Sequence, residues 1–288
     1  MKEKISRRSF LKKIWKSGLA LIGLTVSIPT YSYFGERKWL QTNQIKLSSK
    51  RIPSQFSGLK IVHFSDLHLG FHMDDQYLDD LIKQVNAHYP DIICFTGDLV
   101  DEDASILEAY IPKLQQFEAS YGKFAVLGNH DYRSRTKTAT GVTEALRRSE
   151  FNLLVNENIQ IKRNNAVINI SGVDDIMDGN PNLDKTLLEA YKDTYTILLV
   201  HEPDFADVAQ NYPIDLQLSG HSHGGQIRLP LIGHIITPPM AKKYVNGLYE
   251  VGDSLKVYTN KGIGTTIYPF RFFCRPEITV ITLETSSV

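Results

Sequence analysis

Five short runs of apolar residues occur along the chain, and each of them leads into a polar cluster. Apolar side chains fill nearly every position of these runs rather than every second one, which is typical of strands that are buried on both faces of a sheet. The runs cover residues 59–64, 91–96, 123–127, 195–200 and 214–218. We therefore predict five buried strands.

Between these runs, apolar residues recur at the spacing of a helix. Residues 75–88 carry apolar side chains at positions 78, 81, 82 and 85, and residues 104–117 repeat the pattern, although Pro112 can interrupt it. A shorter helix is predicted over residues 143–148. Strands that alternate with helices in this way predict an α/β fold.

The last third of the chain has a different pattern, in which short predicted strands are separated by tight turns. Strands are predicted at 226–229, 245–251, 255–259 and 277–283, and we expect the sheet to continue there with antiparallel pieces. A further strand is predicted to start near residues 45–47. No internal repeat or Pro/Ser-rich linker interrupts this part of the sequence, so a single domain is predicted.

The first residues of the chain carry a separate signal. Arg7 and Arg8, followed by Phe10 and Leu11, resemble the twin-arginine export motif, and an uncharged stretch follows at 17–28. A basic region followed by an apolar one is the pattern of a secretory signal. The apolar stretch is shorter than the roughly 20 residues that span a bilayer. The pattern predicts export across the bacterial cytoplasmic membrane by the twin-arginine translocase, with a location in the cell envelope.

We assign residues 1–43 to the signal or anchor and its polar connector, and residues 44–288 to the folded domain. Alternatives for the start of the chain are a basic amphipathic helix and an uncleaved anchor. No A-x-A cleavage site follows the apolar stretch, and Thr30 with Ser32 is the best pair of small residues there. Cleavage of the signal is therefore left open, as is association with the membrane or cell wall.

Net charge and cysteine content argue against two classes of protein, nucleic-acid binders and disulfide-framed folds. Lys+Arg and Asp+Glu both total 32, so the formal net charge is zero, whereas nucleic-acid binders usually carry a basic surface. No nucleic-acid partner is expected. The two cysteines, Cys94 and Cys274, form no CxxC pair, so disulfides do not frame this fold. A single bridge between them stays open at this point.

The polar clusters that end the five runs contain Asp, His and Asn. These side chains supply oxygen and imidazole donors, which suit borderline divalent metals, and no cysteine accompanies them. In open α/β sheets, ligands bind beyond the carboxyl ends of the strands. The clusters are Asp66-Leu67-His68, Gly97-Asp98-Leu99-Val100-Asp101, Gly128-Asn129-His130-Asp131, His201 and Gly220-His221-Ser222-His223.

The order of these clusters resembles the signature of the calcineurin-like metallophosphoesterases: D-x-H, GD-x-x-D, GNHD, a lone His and GHSH. The resemblance extends over roughly residues 45–284. The tail, with HSHGGQ at 221–226 and GIG at 262–264, is similar to an exported bacterial branch of that family. The resemblance implies an α/β fold with a two-sheet central β-sandwich flanked by helices.

The resemblance also implies the roles of individual residues. Asp98 bridges two divalent metal ions, with Mn, Zn or Fe as the candidates, while His130 acts on the phosphate as a proton donor or charge stabiliser and Asp131 orients it. The remaining ligands are Asp66, His68 and His223 for one metal, and Asn129, His201 and His221 for the other.

The implied activity is hydrolysis of a phosphate ester. The leading prediction is a phosphodiesterase or pyrophosphatase-type enzyme that acts on an envelope or lipid-linked substrate. A phosphomonoesterase or nucleotidase is the first alternative, and a non-catalytic metal-binding scaffold is the remote one. Retention of all seven ligand positions argues against the scaffold.

A few residues outside the signature remain open. Arg271 and Arg275 suit bidentate phosphate binding, although surface or ion-pair roles fit them equally well. The aromatic cluster at 268–273 is interpreted as core, with an apolar lip for a lipid substrate as the alternative. His63 lies within a predicted strand and is interpreted as a core residue.

Overall fold

Two six-stranded sheets form the centre of the protein in a computed structural model that describes residues 7–133, 138–188, 190 and 193–286. The strands of the chain are β1 (Gln41–Ser49), β2 (Lys60–Phe64), β3 (Ile92–Thr96), β4 (Lys123–Val126), β5 (Phe151–Leu153), β6 (Glu157–Arg163), β7 (Ala166–Gly172), β8 (Tyr195–Leu199), β9 (Leu216–Ser219), β10 (Arg228–Leu229), β11 (Gly233–His234), β12 (Gly247–Val251), β13 (Leu255–Thr259) and β14 (Glu277–Thr285). The α-helices are α1 (Arg7–Thr30), α2 (Asp75–Asn86), α3 (Leu107–Leu114), α4 (Asn129–Arg133), α5 (Thr138–Arg148), α6 (Leu183–Thr186) and α7 (Ala206–Ala209).

Both sheets are mixed. The first has the strand order β1-β14-β2-β3-β4-β5, in which β14 runs antiparallel to β2 and the strands from β2 to β5 are parallel. The second has the order β12-β13-β9-β8-β7-β6, with a parallel centre and antiparallel strands at both edges. The predicted α/β fold with two packed central sheets is confirmed.

The inner faces of the two sheets pack against each other, and the outer faces are covered as well, which explains why the central strands are apolar at most positions. In β2, Ile61 contributes to the core between the sheets, while Val62 and Phe64 contribute to the core under the helices. His63 also points inward, where its Nε2 lies 2.9 Å from Thr96 Oγ1. Both faces of the strand are therefore buried, as the runs predicted.

Helices α2, α3 and α5 cover the outer face of the first sheet. The carboxylate of Asp74 caps α2 by accepting a hydrogen bond from the Tyr77 N–H at 2.9 Å. Pro112 lies within α3 without ending it. The helix predicted at 143–148 begins five residues earlier, at Thr138.

Some elements differ from the sequence prediction. Strands β5, β6 and β7 were not predicted, because their polar positions interrupt the apolar pattern. The strand predicted at 226–229 is reduced to β10, which pairs only with β11 as a small hairpin. Cys94 and Cys274 are both free and buried, so they form no bridge.

The segment between α1 and β1 packs onto the domain. Ser32, Glu36 and Arg37 are buried, and the Glu36 carboxylate accepts a hydrogen bond from the Cys274 N–H. The predicted boundary at residue 44 lies inside β1, which begins at Gln41. The first six residues of the predicted signal lie outside the described residues. Within the described part of the chain, no helix is both long and apolar enough to cross a membrane.

Candidate metal centre

Five loops that follow parallel strands converge at an edge shared by both sheets. They continue β2, β3 and β4 of the first sheet and β8 and β9 of the second. Hydrogen bonds join neighbouring loops: the Asp66 N–H donates to the Gly97 carbonyl at 2.9 Å, and the Gly220 N–H donates to the His201 carbonyl at 3.0 Å. The His221 N–H reaches across the sheets to the Asp66 carboxylate. The polar clusters therefore meet in space, as expected of strand ends in α/β proteins.

Asp66, His68 and His223 form the first group of metal-ligand atoms. Their donor atoms all lie within 4.8 Å of one another. The His223 Nε2 is 3.3 Å from Asp66 Oδ1 and 3.1 Å from the His68 Nε2. All three side chains are buried. Two imidazole nitrogens and one carboxylate oxygen that face a common point are donors of the kind that divalent metals take.

Asp98, His201 and His221 form the second group, which is equally buried. Asp98 Oδ2 lies 3.1 Å from the His201 Nε2, and the His221 Nδ1 lies 3.2 Å from that same nitrogen. Asp98 Oδ2 is also 3.6 Å from the Nε2 of His68 in the first group. One carboxylate therefore stands between the two groups, which is the position of a bridging ligand.

Asn129 fits the same site through a different observation. It is the first residue of α4 and follows the end of β4 by three positions. Its Oδ1 is buried and has no hydrogen-bond partner among the described residues. A buried acceptor without a partner costs roughly 1–3 kcal/mol, so its retention calls for a ligand. A divalent cation would supply the partner that this oxygen lacks.

Three of the histidines have their ring orientation fixed by a hydrogen bond on the side that faces away from the other candidate ligands. In each ring one nitrogen faces the neighbouring candidate ligands and the other is bonded to an oxygen acceptor, so in the neutral form of the ring the inward nitrogen carries no proton. The acceptors are the Asp101 carboxylate for His68 Nδ1 (3.0 Å), the Thr96 carbonyl for His201 Nδ1 (2.6 Å) and the Pro239 carbonyl for His221 Nε2 (2.8 Å).

The charges of the centre are strongly coupled. Burial disfavours the ionised form of Asp98, but attraction to His201 outweighs burial and holds the pKa of the carboxyl well below its ordinary value. Burial likewise opposes a charge on His201, yet Asp98 raises the pKa of the imidazole well above its ordinary value. Burial raises the pKa of Asp66. The centre thus holds negative charge at Asp98, where a cation is best stabilised.

His130 lies at the open side of the centre, with its side chain 26% exposed. Its Nδ1 donates to the Asp101 carbonyl at 3.0 Å, and its ring packs edge-on against His68 with centroids 4.7 Å apart. Its backbone N–H donates to Asp98 Oδ1 at 2.9 Å. The Nε2 is consequently the ring nitrogen that remains for a substrate.

The residue that orients His130 is Asp101, and the predicted role of Asp131 is wrong. Both carboxylate oxygens of Asp131 accept backbone N–H groups, from Gly128 at 2.9 Å, Asp98 at 3.0 Å and Leu99 at 2.8 Å. Asp131 therefore joins the loops after β3 and β4. Burial, followed by the nearby Asp98, raises its pKa to about 7. Asp101 is the second aspartate of the GD-x-x-D spacing, and that spacing alone does not indicate that it orients a histidine.

Five of the candidate ligands have a left-handed backbone. A positive φ is uncommon for residues other than glycine and costs about 1–3 kcal/mol, and such residues concentrate at functional sites. Asn129 and His201 do not share this conformation. The five φ values are 55° for Asp66, 47° for His68, 57° for Asp98, 65° for His221 and 49° for His223.

Close approach of the loops explains one glycine in particular. A Cβ at Gly220 would lie 1.9 Å from Ser65 Oγ and 2.4 Å from Asp66 Oδ2, far inside van der Waals contact. Only glycine therefore allows the loop after β9 to reach the loop after β2.

Arg271 is buried behind the loops of this centre and holds them in place, and it does not face a substrate. The guanidinium is fully buried and donates to the carbonyls of Lys261, Gly262, Gly264 and Cys274 at 2.6–3.2 Å. It fixes the loop whose Gly264 N–H donates to the Asp66 carbonyl at 2.7 Å. The suggested phosphate contact is therefore wrong for Arg271.

Three other open interpretations are resolved. Arg275 stacks its guanidinium 3.4 Å from the centroid of the Trp39 ring. The late aromatic cluster is not core throughout, because Tyr268 and Phe273 are exposed. His63 is buried in the core, as interpreted, and burial lowers its pKa to about 3.

Known proteins resemble this chain over most of its length. The profile of the calcineurin-like phosphoesterase family matches residues 59–225. The uncharacterized metallophosphoesterase YkuE of Bacillus subtilis (strain 168) is 39% identical over 291 residues, which cover 99% of this chain and all of that protein. Phosphodiesterase YaeI of Escherichia coli (strain K12) is 30% identical over 283 residues, 97% of this chain and 99% of that protein.

Among solved structures, TT1561 of Thermus thermophilus aligns with a TM-score of 0.48 and 13% sequence identity. The alignment covers 72% of this chain and 91% of that one.

Proposed function

The chain belongs to the calcineurin-like phosphoesterase family, and from that premise we propose that it is a phosphodiesterase or pyrophosphatase-type hydrolase with a two-metal centre. It is a metallophosphoesterase, and its substrate is a phosphate ester. The observation that carries the finer proposal is the pair of buried ligand groups with Asp98 between them.

In this proposal Asp66, His68 and His223 hold one divalent cation. Asp98 contributes to both positions, because Oδ2 faces donor atoms of both groups. The unpartnered Oδ1 of Asn129 completes the second position together with His201 and His221. Imidazole, carboxylate and amide donors accept Mn, Zn or Fe, so these metals are the candidates.

The bound cations would supply an activated water molecule and offset the charge on the phosphate oxygens. The water oxygen forms a new bond to phosphorus while the bond from phosphorus to the ester oxygen breaks. His130 donates a proton from Nε2 to that leaving oxygen, and the Asp101 carbonyl holds the opposite nitrogen. A positioned general acid accelerates such a step by about 10²–10⁴-fold.

Diester cleavage is preferred over monoester cleavage because a relative of nearly equal length is named a phosphodiesterase. A phosphomonoesterase is the alternative. The test is to strip the full chain of metal, restore Mn, Zn, Fe or Co one at a time, and assay bis-p-nitrophenyl phosphate against p-nitrophenyl phosphate. Asp98→Ala should lose both metal and turnover, while Asp80→Ala on the exposed side of α2 should keep both. Turnover of the monoester alone would refute the diesterase, and no turnover with any metal would refute the enzyme.

We also propose that the first 43 residues direct export through the twin-arginine translocase, which carries chains that have already folded. Affinity for divalent metals rises toward copper, so a site filled outside the cell tends to take zinc or copper. Folding before export lets the cytoplasm fill the centre with a weaker binder such as manganese. The test replaces the signal with one that exports unfolded chains. Unchanged metal content and activity in the exported protein would contradict this reason for the signal.

A further inference from the structure

We propose that an apolar rim beside the metal centre docks on the surface of an anionic lipid bilayer, so that the enzyme cleaves phosphate esters displayed at that surface. The substrate class rests on the proposed function, whereas the docking does not. The rim consists of Leu231, Ile232, Ile236, Ile267, Tyr268 and Phe273.

The rim is an exposed apolar surface of a kind that soluble monomers rarely keep. Each of its six side chains is at least 60% exposed, and Leu231 at the tip of the β10–β11 hairpin is fully exposed. Contiguous exposed patches of large apolar residues mark contacts with a membrane or a partner.

The two halves of the rim are joined by backbone and side-chain hydrogen bonds. The Arg228 N–H at the start of the hairpin donates to the Phe272 carbonyl at 2.8 Å. The Gln226 side chain donates to the carbonyls of Thr266 and Tyr268 at 3.0 and 2.8 Å. The hairpin and the 265–273 loop therefore present one surface.

Three rim residues are held in an unfavourable backbone conformation. Leu231, Ile267 and Phe273 have φ values of 68°, 61° and 49°. A positive φ is a genuine outlier for bulky or β-branched residues, and asparagine or glycine would fit these positions with less strain. Both the exposed apolar surface and the strained backbone make these side chains unfavourable in the isolated fold. Their presence is explained when something outside the fold uses the side chains.

The charge around the rim matches an anionic membrane surface. Residues 226–249 contain Arg228, Lys242 and Lys243 without an Asp or Glu. Residues 261–276 also contain no acidic residue, and Arg275 is the partly exposed cation there, since Arg271 is buried and Lys261 pairs with Glu277. Apolar side chains surrounded by basic ones are typical of proteins that lie in the interfacial layer of anionic lipids.

The rim adjoins both the metal centre and the segment that leads to α1. Gly225, two residues after the candidate ligand His223, lies against His234 of the hairpin. On the other side, Tyr33 packs edge-on against Phe270 with centroids 5.9 Å apart. The rim therefore lies between the loop that carries His223 and the segment that leads to α1.

The experiment compares the full wild-type chain with the triple variant Leu231→Asn/Ile267→Asn/Phe273→Asn. The matched control is Tyr89→Asn, which removes an equally exposed side chain of positive φ outside the rim. Binding is measured by flotation with phosphatidylglycerol/phosphatidylcholine vesicles. Since α1 is the same in all three proteins, differences report on the rim. Turnover is measured on bis-p-nitrophenyl phosphate and on a diacylglycerol p-nitrophenyl phosphodiester in the vesicles.

The triple variant is expected to keep its melting temperature or raise it, because asparagine tolerates positive φ. Its partition onto vesicles should fall at least about tenfold, as burying one Leu or Phe side chain changes a partition coefficient by roughly that factor or more. Its kcat/KM should fall similarly on the vesicle substrate and remain unchanged on the soluble diester. Tyr89→Asn should match wild type throughout.

Vesicle binding within twofold of wild type would overturn the docking proposal. So would a wild-type dimer that the triple variant converts to a monomer without any change in vesicle binding, because a second copy would then cover the rim. If the triple variant fails to fold, Phe273→Trp in a Trp15→Phe/Trp39→Phe background still decides the matter. Its emission should be quenched by brominated acyl chains, and that of Tyr89→Trp in the same background should not. If the brominated acyl chains do not quench the emission of the tryptophan at position 273, the docking proposal is refuted. Rim-dependent binding without hydrolysis of any phosphate ester would refute the proposed function and leave the docking intact.

Discussion

Replacing Asp101 by asparagine removes one negative charge from behind a candidate metal ligand and changes little else. The Asp101 carboxylate accepts a hydrogen bond from His68 Nδ1 at 3.0 Å. Its backbone carbonyl accepts from His130 Nδ1 at the same distance, and that carbonyl survives the substitution. The variant therefore separates support of the metal from support of the proton donor.

The size of the effect follows from that hydrogen bond. A bond to a charged group contributes about 1.5–3 kcal/mol. Since 1.36 kcal/mol corresponds to a factor of ten, its loss predicts a metal affinity weaker by about 10–100-fold. Substitutions of carboxylates behind metal-bound histidines fall in the same range. The kcat at saturating metal should stay close to wild type, because the His130 ring remains oriented.

The assay titrates metal-free protein with Mn²⁺ and follows both binding heat and hydrolysis of bis-p-nitrophenyl phosphate. Asp103→Asn is the control, since asparagine can retain the Asp103 bond to the Ser105 N–H and the same charge is lost two residues away. An unchanged Mn²⁺ affinity in Asp101→Asn would refute the assigned role. Loss of turnover that saturating metal does not restore would show that Asp101 acts through His130 instead.

Three further changes test other parts of the molecule. His130→Ala should keep both metals by elemental analysis and lose about 10²–10⁴-fold in turnover, and full activity would contradict its role as proton donor. Gly220→Ala forces a Cβ into Ser65 and Asp66, so we expect a loss of about 1–3 kcal/mol in urea denaturation together with lower metal content. Burial lowers the pKa of His63 to about 3, so below pH 6.5 the unfolded chain binds a proton that the folded chain refuses. Stability should then fall by up to about 1.4 kcal/mol per pH unit between pH 6.5 and 3, and His63→Gln should lack that part of the slope in urea denaturation.

Strands with a nearly continuous apolar pattern were predictable, and strands β5, β6 and β7, whose pattern is interrupted by polar residues, were not. The runs that became β2, β3, β4, β8 and β9 are apolar at most positions, since one face meets the other sheet and the other meets helices. Strand β6 lies at a sheet edge, with only Ile161 buried along it. The apolar pattern of β6 is therefore weak. Its position is fixed by its pairing with β7 rather than by its own composition.

The clusters of the candidate centre were predictable from their order, but the support behind them was not. Asp101 and Asp131 stand at similar offsets after their strands, and sequence spacing does not reveal which one reaches an imidazole. The choice depends on where two loops cross: Asp131 is enclosed by backbone N–H groups, while Asp101 faces two histidines. Similarly, Arg271 has the chemistry of a phosphate ligand, and only its burial among carbonyls excludes that use.

The docked segment after α1 constrains how the proposed signal can be processed. Cleavage after Ser32 requires an accessible, extended backbone, yet Ser32 is buried and its carbonyl accepts the Arg271 N–H at 3.2 Å. Glu36 is held at the same time by the Cys274 N–H. Since a twin-arginine substrate folds before it crosses the membrane, these contacts exist before a signal peptidase meets the chain. Cleavage at this position therefore competes with docking of the segment. A chain that keeps α1 would carry that helix next to the 265–273 loop of the rim, because Tyr33 packs against Phe270.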